Sequence, residues 1–135
     1  MNIITELESY GCGVESKDGQ LIVTGGRALP PPIVEKVREA KQDILAALGR
    51  DESARSAGFI TLVRGEMYER QLNNRSHLFV GINGAGAWEC WRETWNALGR
   101  VSAYHTAIAS GDFATVLERA RSYVGYIKLK GAANS

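Results

Sequence analysis

The sequence has few of the residues that mark disulfide-rich or metal-binding proteins. It contains two cysteines and two histidines in 135 residues. Cys12 and Cys90 lie far apart, and neither they nor His77 and His105 have the spacing of zinc ligands. This pattern predicts no disulfide framework, no metal and no cofactor, and it is typical of a protein from the reducing cytoplasm.

An excess of one charge and a long apolar run are also absent. The 16 basic residues nearly balance the 15 acidic residues, which gives a formal net charge of +1. Chains that coat nucleic acid or anionic membranes need a basic excess, so this balance argues against both. No segment has the roughly 18 apolar residues that span a bilayer, and Glu6 and Glu8 lie where a secretory signal would be apolar. We therefore expect a cytoplasmic protein without a membrane partner.

The composition is that of a globular protein, with 44% hydrophobic and 23% charged residues. The length suits one domain or two small modules. The patterns below predict an α+β fold in three parts. A helix–β-hairpin–helix module spans 1–49, a linker spans 50–57, and a mainly helical module with one or two short strands spans 58–135.

The first part has clear local signals. Apolar residues at helical spacing predict a helix over 2–10, which Gly11 ends. The Asp18-Gly19 dipeptide between two β-prone segments predicts a two-stranded hairpin over 13–24. Three prolines then precede an apolar stripe that predicts a helix or a bent helix pair ending at Gly49. The small polar residues that follow favour a linker.

The second part is harder to interpret. Residues 59–63 fit either a strand or a helix, and 78–80 favour a strand. Tryptophans at helical spacing predict a helix over 87–98, and a second helix is expected over 101–109. Asp112 is a good capping residue for a last helix. The segment from 101 to 124 is typical of a single tetratricopeptide-like helical hairpin.

A family resemblance covers about the first third of the chain. It rests on the segment Ile3-Ile4-Thr5-Glu6-Leu7, the turn Gly11-Cys12-Gly13-Val14, the segment Asp18-Gly19-Gln20-Leu21, and the stripe from Ile33 to Leu48. In this order they resemble the small N-terminal docking domain of the tubulysin-synthetase type, which begins some nonribosomal peptide synthetase subunits.

The resemblance implies protein docking. Members of that family are small dimers whose exposed hairpin strand accepts a short segment from a partner's C-terminus. Such strand addition takes its affinity from backbone hydrogen bonds, while flanking charges select the partner. Carried onto this chain, the implied partner-binding residues are Glu15, Lys17, Gln20 and Ile22 on the hairpin, with Arg27 and Lys36 beside it.

Two further features allow alternative interpretations. Trp88, Trp91 and Trp95 would share one face of a helix, which forms either a core or a second interface. The glycine-rich loop 81–86 lies after a strand, where phosphate-binding loops occur, but it lacks the Lys-Ser/Thr ending and the Gly-x-Gly-x-x-Gly order. A plain tight loop is therefore favoured over nucleotide binding.

The remaining polar residues do not form a catalytic set. Arginines are frequent between 50 and 100, and a nucleic-acid surface is conceivable, but acidic residues are interleaved with them. We therefore predict a non-enzymatic docking or adaptor protein that forms homodimers and recognises another protein through its hairpin edge. The alternative is a small inhibitor or accessory protein of a mobile element that occludes a larger protein or nucleoprotein machine. Nucleic-acid binding and a nucleotide-binding enzyme are less favoured.

Overall fold

The computed structural model of the protein describes residues 2–96, 98, 101–104 and 107–133. The first part of the chain contains three α-helices, a β-hairpin and a short 3-10 helix. In chain order these are α1 (Ile3–Ser9), β1 (Gly13–Lys17), β2 (Gln20–Thr24), the 3-10 helix (Gly26–Ala28), α2 (Pro31–Glu39) and α3 (Lys41–Ser56).

The hairpin predicted over 13–24 is confirmed. Its two turn residues, Asp18 and Gly19, have φ angles of 52° and 76°. Positive φ at both positions matches the turn twist to that of the flanking strands, and the Asp-Gly sequence tolerates it. β1 and β2 pair in antiparallel register from Gly13 opposite Thr24 to Lys17 opposite Gln20.

Two small apolar clusters hold this part together. One contains Ile4, Ile44, Ala47 and Leu48 and joins α1 to α3. The other contains Leu7, Cys12 and Ile33 and joins α1 to α2. One face of the hairpin packs against both clusters, so the opposite face of β1 and β2 is left toward solvent.

The expectation of a linker over 50–57 is wrong, because α3 continues to Ser56. Small polar residues are common in loops, yet here Ala54 is fully buried against the second part of the chain. Arg50 and Asp51 also bond to the loop after the next strand. Tertiary contacts outweigh the weak helical preference of these residues.

The second part is built around an antiparallel sheet. Its strands are β3 (Ile60–Val63), β4 (Met67–Gln71), β5 (Ser76–Ile82), β6 (Trp88–Trp95), β7 (Val101–Tyr104) and β8 (Ala109–Gly111), followed by α4 (Phe113–Ala133). The spatial order is β3-β4-β5-β6-β7, and β8 also pairs with β6. The protein is thus α+β. The predicted order, a helix–hairpin–helix module and then a mainly helical module, does not describe it, because most of the sheet lies after residue 58.

The helices expected over 87–98 and 101–109 are wrong. Residues 88–95 form β6, and the second segment contributes β7 and β8. No tetratricopeptide-like hairpin forms within the described part of 101–124, where α4 is the single helix. The start of that helix is as expected, because the Asp112 carboxylate accepts hydrogen bonds from the Thr115 backbone N–H and hydroxyl, both at 2.9 Å.

α4 covers one face of the large sheet. Tyr68, Leu78, Val80 and Cys90 are fully buried between the sheet and this helix. The helix contributes apolar side chains at helical spacing: Val116, Leu117, Ala120 and Val124. Among the helices of the described ranges, none is long and apolar enough to cross a bilayer.

Candidate functional site

The hairpin has one face toward the core and one toward solvent. Val14 and Val23 lie opposite each other and pack on the apolar clusters. Because side chains alternate along a strand, the next pairs point the other way. Glu15 lies opposite Ile22, and Lys17 lies opposite Gln20, so the structure brings these four predicted partner-binding residues onto one outer face.

The other two predicted partner-binding residues lie on different elements. Arg27 is on the 3-10 helix that follows β2. Lys36 is on α2, where its ammonium lies 3.7 Å from the Glu6 carboxylate of α1. Neither residue lies on the outer face of the hairpin beside the other four.

β1 has a free backbone edge. The two-residue turn makes Lys17 and Gln20 the hydrogen-bonded pair that closes the hairpin, and such pairs alternate with non-hydrogen-bonded ones in an antiparallel ladder. The backbone N–H and C=O groups of Val14 and Ser16 therefore point away from β2. These groups are the donors and acceptors that an added strand would use.

A groove runs along this edge. It has a volume of about 850 Å³ and is open to solvent. Val14, Glu15 and Ser16 line one side, and Ile60 and Thr61 of β3 line another, with the C-terminal half of α3 between them. The groove therefore lies between the edges of two sheets that are far apart in the sequence.

Most charges in the groove are already paired. Arg64 Nε donates to Asp51 Oδ2 at 2.8 Å, and its Nη1 lies 3.2 Å from Glu8 Oε2. Arg55 pairs with Glu52. Glu15 forms no ion pair within the described part of the chain, so it is the groove carboxylate that remains available to a ligand.

Asp51 fixes the wall of the groove. Its Oδ1 accepts hydrogen bonds from the Gly65 backbone N–H at 2.7 Å and from the Tyr68 hydroxyl at 2.6 Å. Burial, reinforced by the hydrogen bond to Asp51, raises the pKa of Tyr68, which keeps that hydroxyl a neutral donor. α3 is thereby held against the β3–β4 loop.

β3 is also an exposed edge strand. It lies at one end of the sheet order, and none of its residues is buried. Ile60, Leu62 and Val63 are 62%, 44% and 39% exposed. An apolar edge strand without a neighbour is a template for pairing with another chain.

The three tryptophans do not share a face, because they lie on a strand. Trp88 is 7% exposed and packs in the core below α4. Trp91 and Trp95 lie on the opposite face of the sheet, where they are half-buried. The core interpretation is therefore right for Trp88, and an interface at Trp91 and Trp95 stays a prediction.

The glycine-rich loop 81–86 joins two strands and does not precede a helix. Asn83 organises it, since its side-chain oxygen accepts hydrogen bonds from the backbone N–H groups of Ala85 and Ala87 at 2.9 and 3.0 Å. The segment is therefore a tight connection between β5 and β6. Phosphate-binding loops of the expected kind lead into a helix N-terminus, and this loop leads into strand β6 instead.

The nucleophile and metal candidates lie apart from one another. Burial raises the pKa of the Cys90 thiol to about 12, and Cys12 is buried as well. His77 Nδ1 approaches Glu69 Oε1 at 2.5 Å without the alignment of a hydrogen bond. His105 lies outside the described residues. Within the described ranges, no three His, Cys, Asp or Glu side chains are grouped as metal ligands.

Several arginines are used inside the fold. Arg50 donates to the Gly65 carbonyl at 2.9 Å and lies over the Trp88 ring, and Arg70 donates to the Ala57 carbonyl at 2.6 Å. Arg92 donates to the Ser76 and Tyr123 hydroxyls. These three arginines therefore serve contacts within the fold.

Comparisons with family models, with curated proteins and with solved structures give no match. Two features of the site have no signal in the sequence. The β3 side of the groove depends on contacts between residues about 45 positions apart along the chain. The placement of the tryptophans on two faces depends on strand β6, whereas their spacing in the sequence also fits a helix.

Proposed function

We propose that this protein is a non-enzymatic docking protein that binds an extended segment of a partner along the β1 edge. The observation that carries the proposal is the outward orientation of the Val14 and Ser16 backbone groups in an open groove. The resemblance of the first third of the chain to docking domains supports the same function.

Strand addition explains how this site would obtain affinity and selectivity. Each backbone hydrogen bond to the added strand contributes about 0.5–1.5 kcal/mol, whatever the partner's sequence. Selectivity requires side chains, and Glu15 and Lys17 on the outer face offer charges of opposite sign.

Self-association is part of the same proposal. The exposed apolar edge of β3 would pair with β3 of a second copy, which would bury Ile60 and Leu62. Sedimentation equilibrium of the intact chain tests this: Ile60→Lys should shift the mass from dimer to monomer. If the parent protein is a monomer, the proposed self-association is wrong, and the proposed docking at β1 is unaffected.

The docking test uses a proline at an outward-facing position. Ser16→Pro removes the N–H that points into the groove but no β1–β2 hydrogen bond, so the hairpin should survive. Ser16→Ala is the matched control, because it removes the hydroxyl and keeps the N–H. Partners are captured from a lysate of the cells that make the protein.

The expected result is a partner that is captured by the parent protein and by Ser16→Ala but lost with Ser16→Pro. Lys17→Glu should weaken its capture with the fold unchanged. In the purified complex, hydrogen exchange should slow at Val14 and Ser16. If capture and exchange are the same for Ser16→Pro and the parent protein, the β1 edge is not the docking site.

A further inference from the structure

The face of the large sheet opposite α4 forms a second surface, distinct from the groove. The register places Glu69, Phe79 and Trp91 side by side across β4, β5 and β6. In the neighbouring row, His77 lies opposite Glu93. Side chains at these positions are mostly half-buried, whereas those on the α4 side of the same strands are mostly fully buried.

Aromatic rings form the central part of this surface. The Phe79 and Trp91 rings stack with centroids 5.4 Å apart and an interplanar angle of 14°. The His77 and Trp95 rings lie 5.0 Å apart. Phe79 is 6% exposed, and Trp91, which stacks on it, is the more accessible of the two rings.

The charged residues that β4, β5 and β6 place on this surface have one sign. The alternation of side chains places Glu69, Glu89 and Glu93 on the open face, whereas Arg70 and Arg92 of the same strands point toward α4. Strands β3 to β6 therefore present carboxylates on this face with no lysine or arginine. The imidazole of His77 lies beside the Glu69 carboxylate.

Glu93 joins the two aromatic pairs. Its two carboxylate oxygens each lie 3.4 Å from an indole Nε1, one of Trp91 and one of Trp95. A carboxylate between two indole rings combines the two features that attract a guanidinium group, which are a negative charge and π faces. The stacking of a guanidinium on an indole also occurs within the protein, where the Arg50 guanidinium lies 5.4 Å from the centre of the Trp88 ring.

We propose that this face binds a basic, arginine-containing segment of a protein partner. Arginine side chains of that segment stack on Trp91 and Trp95 and pair with the carboxylates of Glu69 and Glu93. The acidic charge complements a basic peptide and repels the phosphates of a nucleic acid. This surface is independent of strand addition at β1, so either can fail without the other.

The test measures binding of an eight-residue peptide of alternating arginine and serine to the intact chain by fluorescence anisotropy. Glu69→Gln combined with Glu93→Gln should weaken binding about tenfold or more. Glu118→Gln is the matched control, because Glu118 is an exposed glutamate on α4. That variant and Ser16→Pro should bind as the parent protein does, and added salt should weaken binding in all of them.

Replacements of Trp91 distinguish the effect of its aromatic ring from the effect of its size. Trp91→Phe should keep most of the affinity, whereas Trp91→Leu, which is apolar but has no π face, should lose several-fold. Equal binding by the doubly substituted glutamate variant and the parent protein would overturn the proposal. So would tighter binding of single-stranded oligouridylate than of the arginine peptide, or absence of peptide binding to the parent protein.

Discussion

Asp51→Ala should destabilise the protein strongly, although Asp51 lies in the segment whose composition favours a linker. The carboxylate accepts hydrogen bonds from the Gly65 backbone N–H, the Tyr68 hydroxyl and the Arg64 guanidinium. These bonds connect α3 to the β3–β4 loop and to a fully buried tyrosine. Alanine removes all three acceptor contacts at once and leaves the donors in place.

The magnitude follows from the donors that are left unsatisfied. Gly65 and Tyr68 are buried, and a buried donor without a partner costs about 1–3 kcal/mol. Arg64 retains its contact with Glu8, so the free-energy cost of losing its bond to Asp51 is smaller. We expect the free energy of unfolding to fall by about 3 kcal/mol, a large share of the about 5–15 kcal/mol of a typical domain.

Urea denaturation followed by circular dichroism and tryptophan fluorescence provides the assay. In a double-mutant cycle, Asp51→Ala should cost about 1 kcal/mol less when it is made in the Tyr68→Phe variant, because the unsatisfied hydroxyl is gone. A single coincident transition in both signals would show that the hairpin part and the sheet part unfold together. A loss below about 0.5 kcal/mol, the size of an ordinary surface substitution, would refute the reasoning.

Three other predictions concern single residues. In a Cys12→Ser variant, the Cys90 thiol should resist iodoacetamide at pH 8, because it is buried and its pKa is raised. It should react once urea unfolds the chain, and mass spectrometry would detect the added group. Rapid labelling of the folded protein would contradict this prediction. Hydrogen bonds from the first turn of α4 lower the pKa of Asp112, so its stabilising effect is complete above the unfolded pKa of about 4 and is lost as the pH falls through the folded value. The stability difference between the parent and Asp112→Asn should therefore shrink in thermal melts below about pH 4, and a constant difference would argue against it. Gly65→Ala should lower the free energy of unfolding by about 2 kcal/mol, because φ at Gly65 is +74° and the new Cβ would lie 2.5 Å from a side chain of α3. Gly84→Ala is the control: nothing lies within 4 Å of its new Cβ, so it should be nearly neutral in the same melts.

Local signals predicted the hairpin and the start of the helix that follows it. The Asp18-Gly19 dipeptide defines a turn by the backbone angles it tolerates, and the prolines at 30–32 define the start of a helix by the N–H they lack. Each of these effects acts within a few residues. The hairpin and its outer row of Glu15, Lys17, Gln20 and Ile22 could therefore be found without knowledge of the tertiary contacts.

The prediction failed where two periodicities overlap. Tryptophans at 88, 91 and 95 fit a helical face, but residues 88 to 94 also alternate between the covered side and the carboxylate-rich side of a strand. Aromatic and β-branched residues favour strands, and pairing of β6 with β5 along seven positions decided the outcome. Cross-strand pairing of this kind is a long-range effect that short windows do not contain.

The two proposed surfaces follow this same division. The outer row of the hairpin could be read from the sequence, because its turn fixes the register of β1 and β2 directly. The open face of the large sheet could not, because Glu69, Phe79 and Trp91 come from three strands and meet only when the register of β4, β5 and β6 is known. A shift of β6 by one residue would move Trp91 and Glu93 under α4 and bring Arg92 to the open face, where it would offset Glu69 and cancel the acidic charge. The acidic character of this surface is therefore a property of the register, and a substitution that altered the register should abolish arginine-peptide binding while leaving the hairpin edge intact.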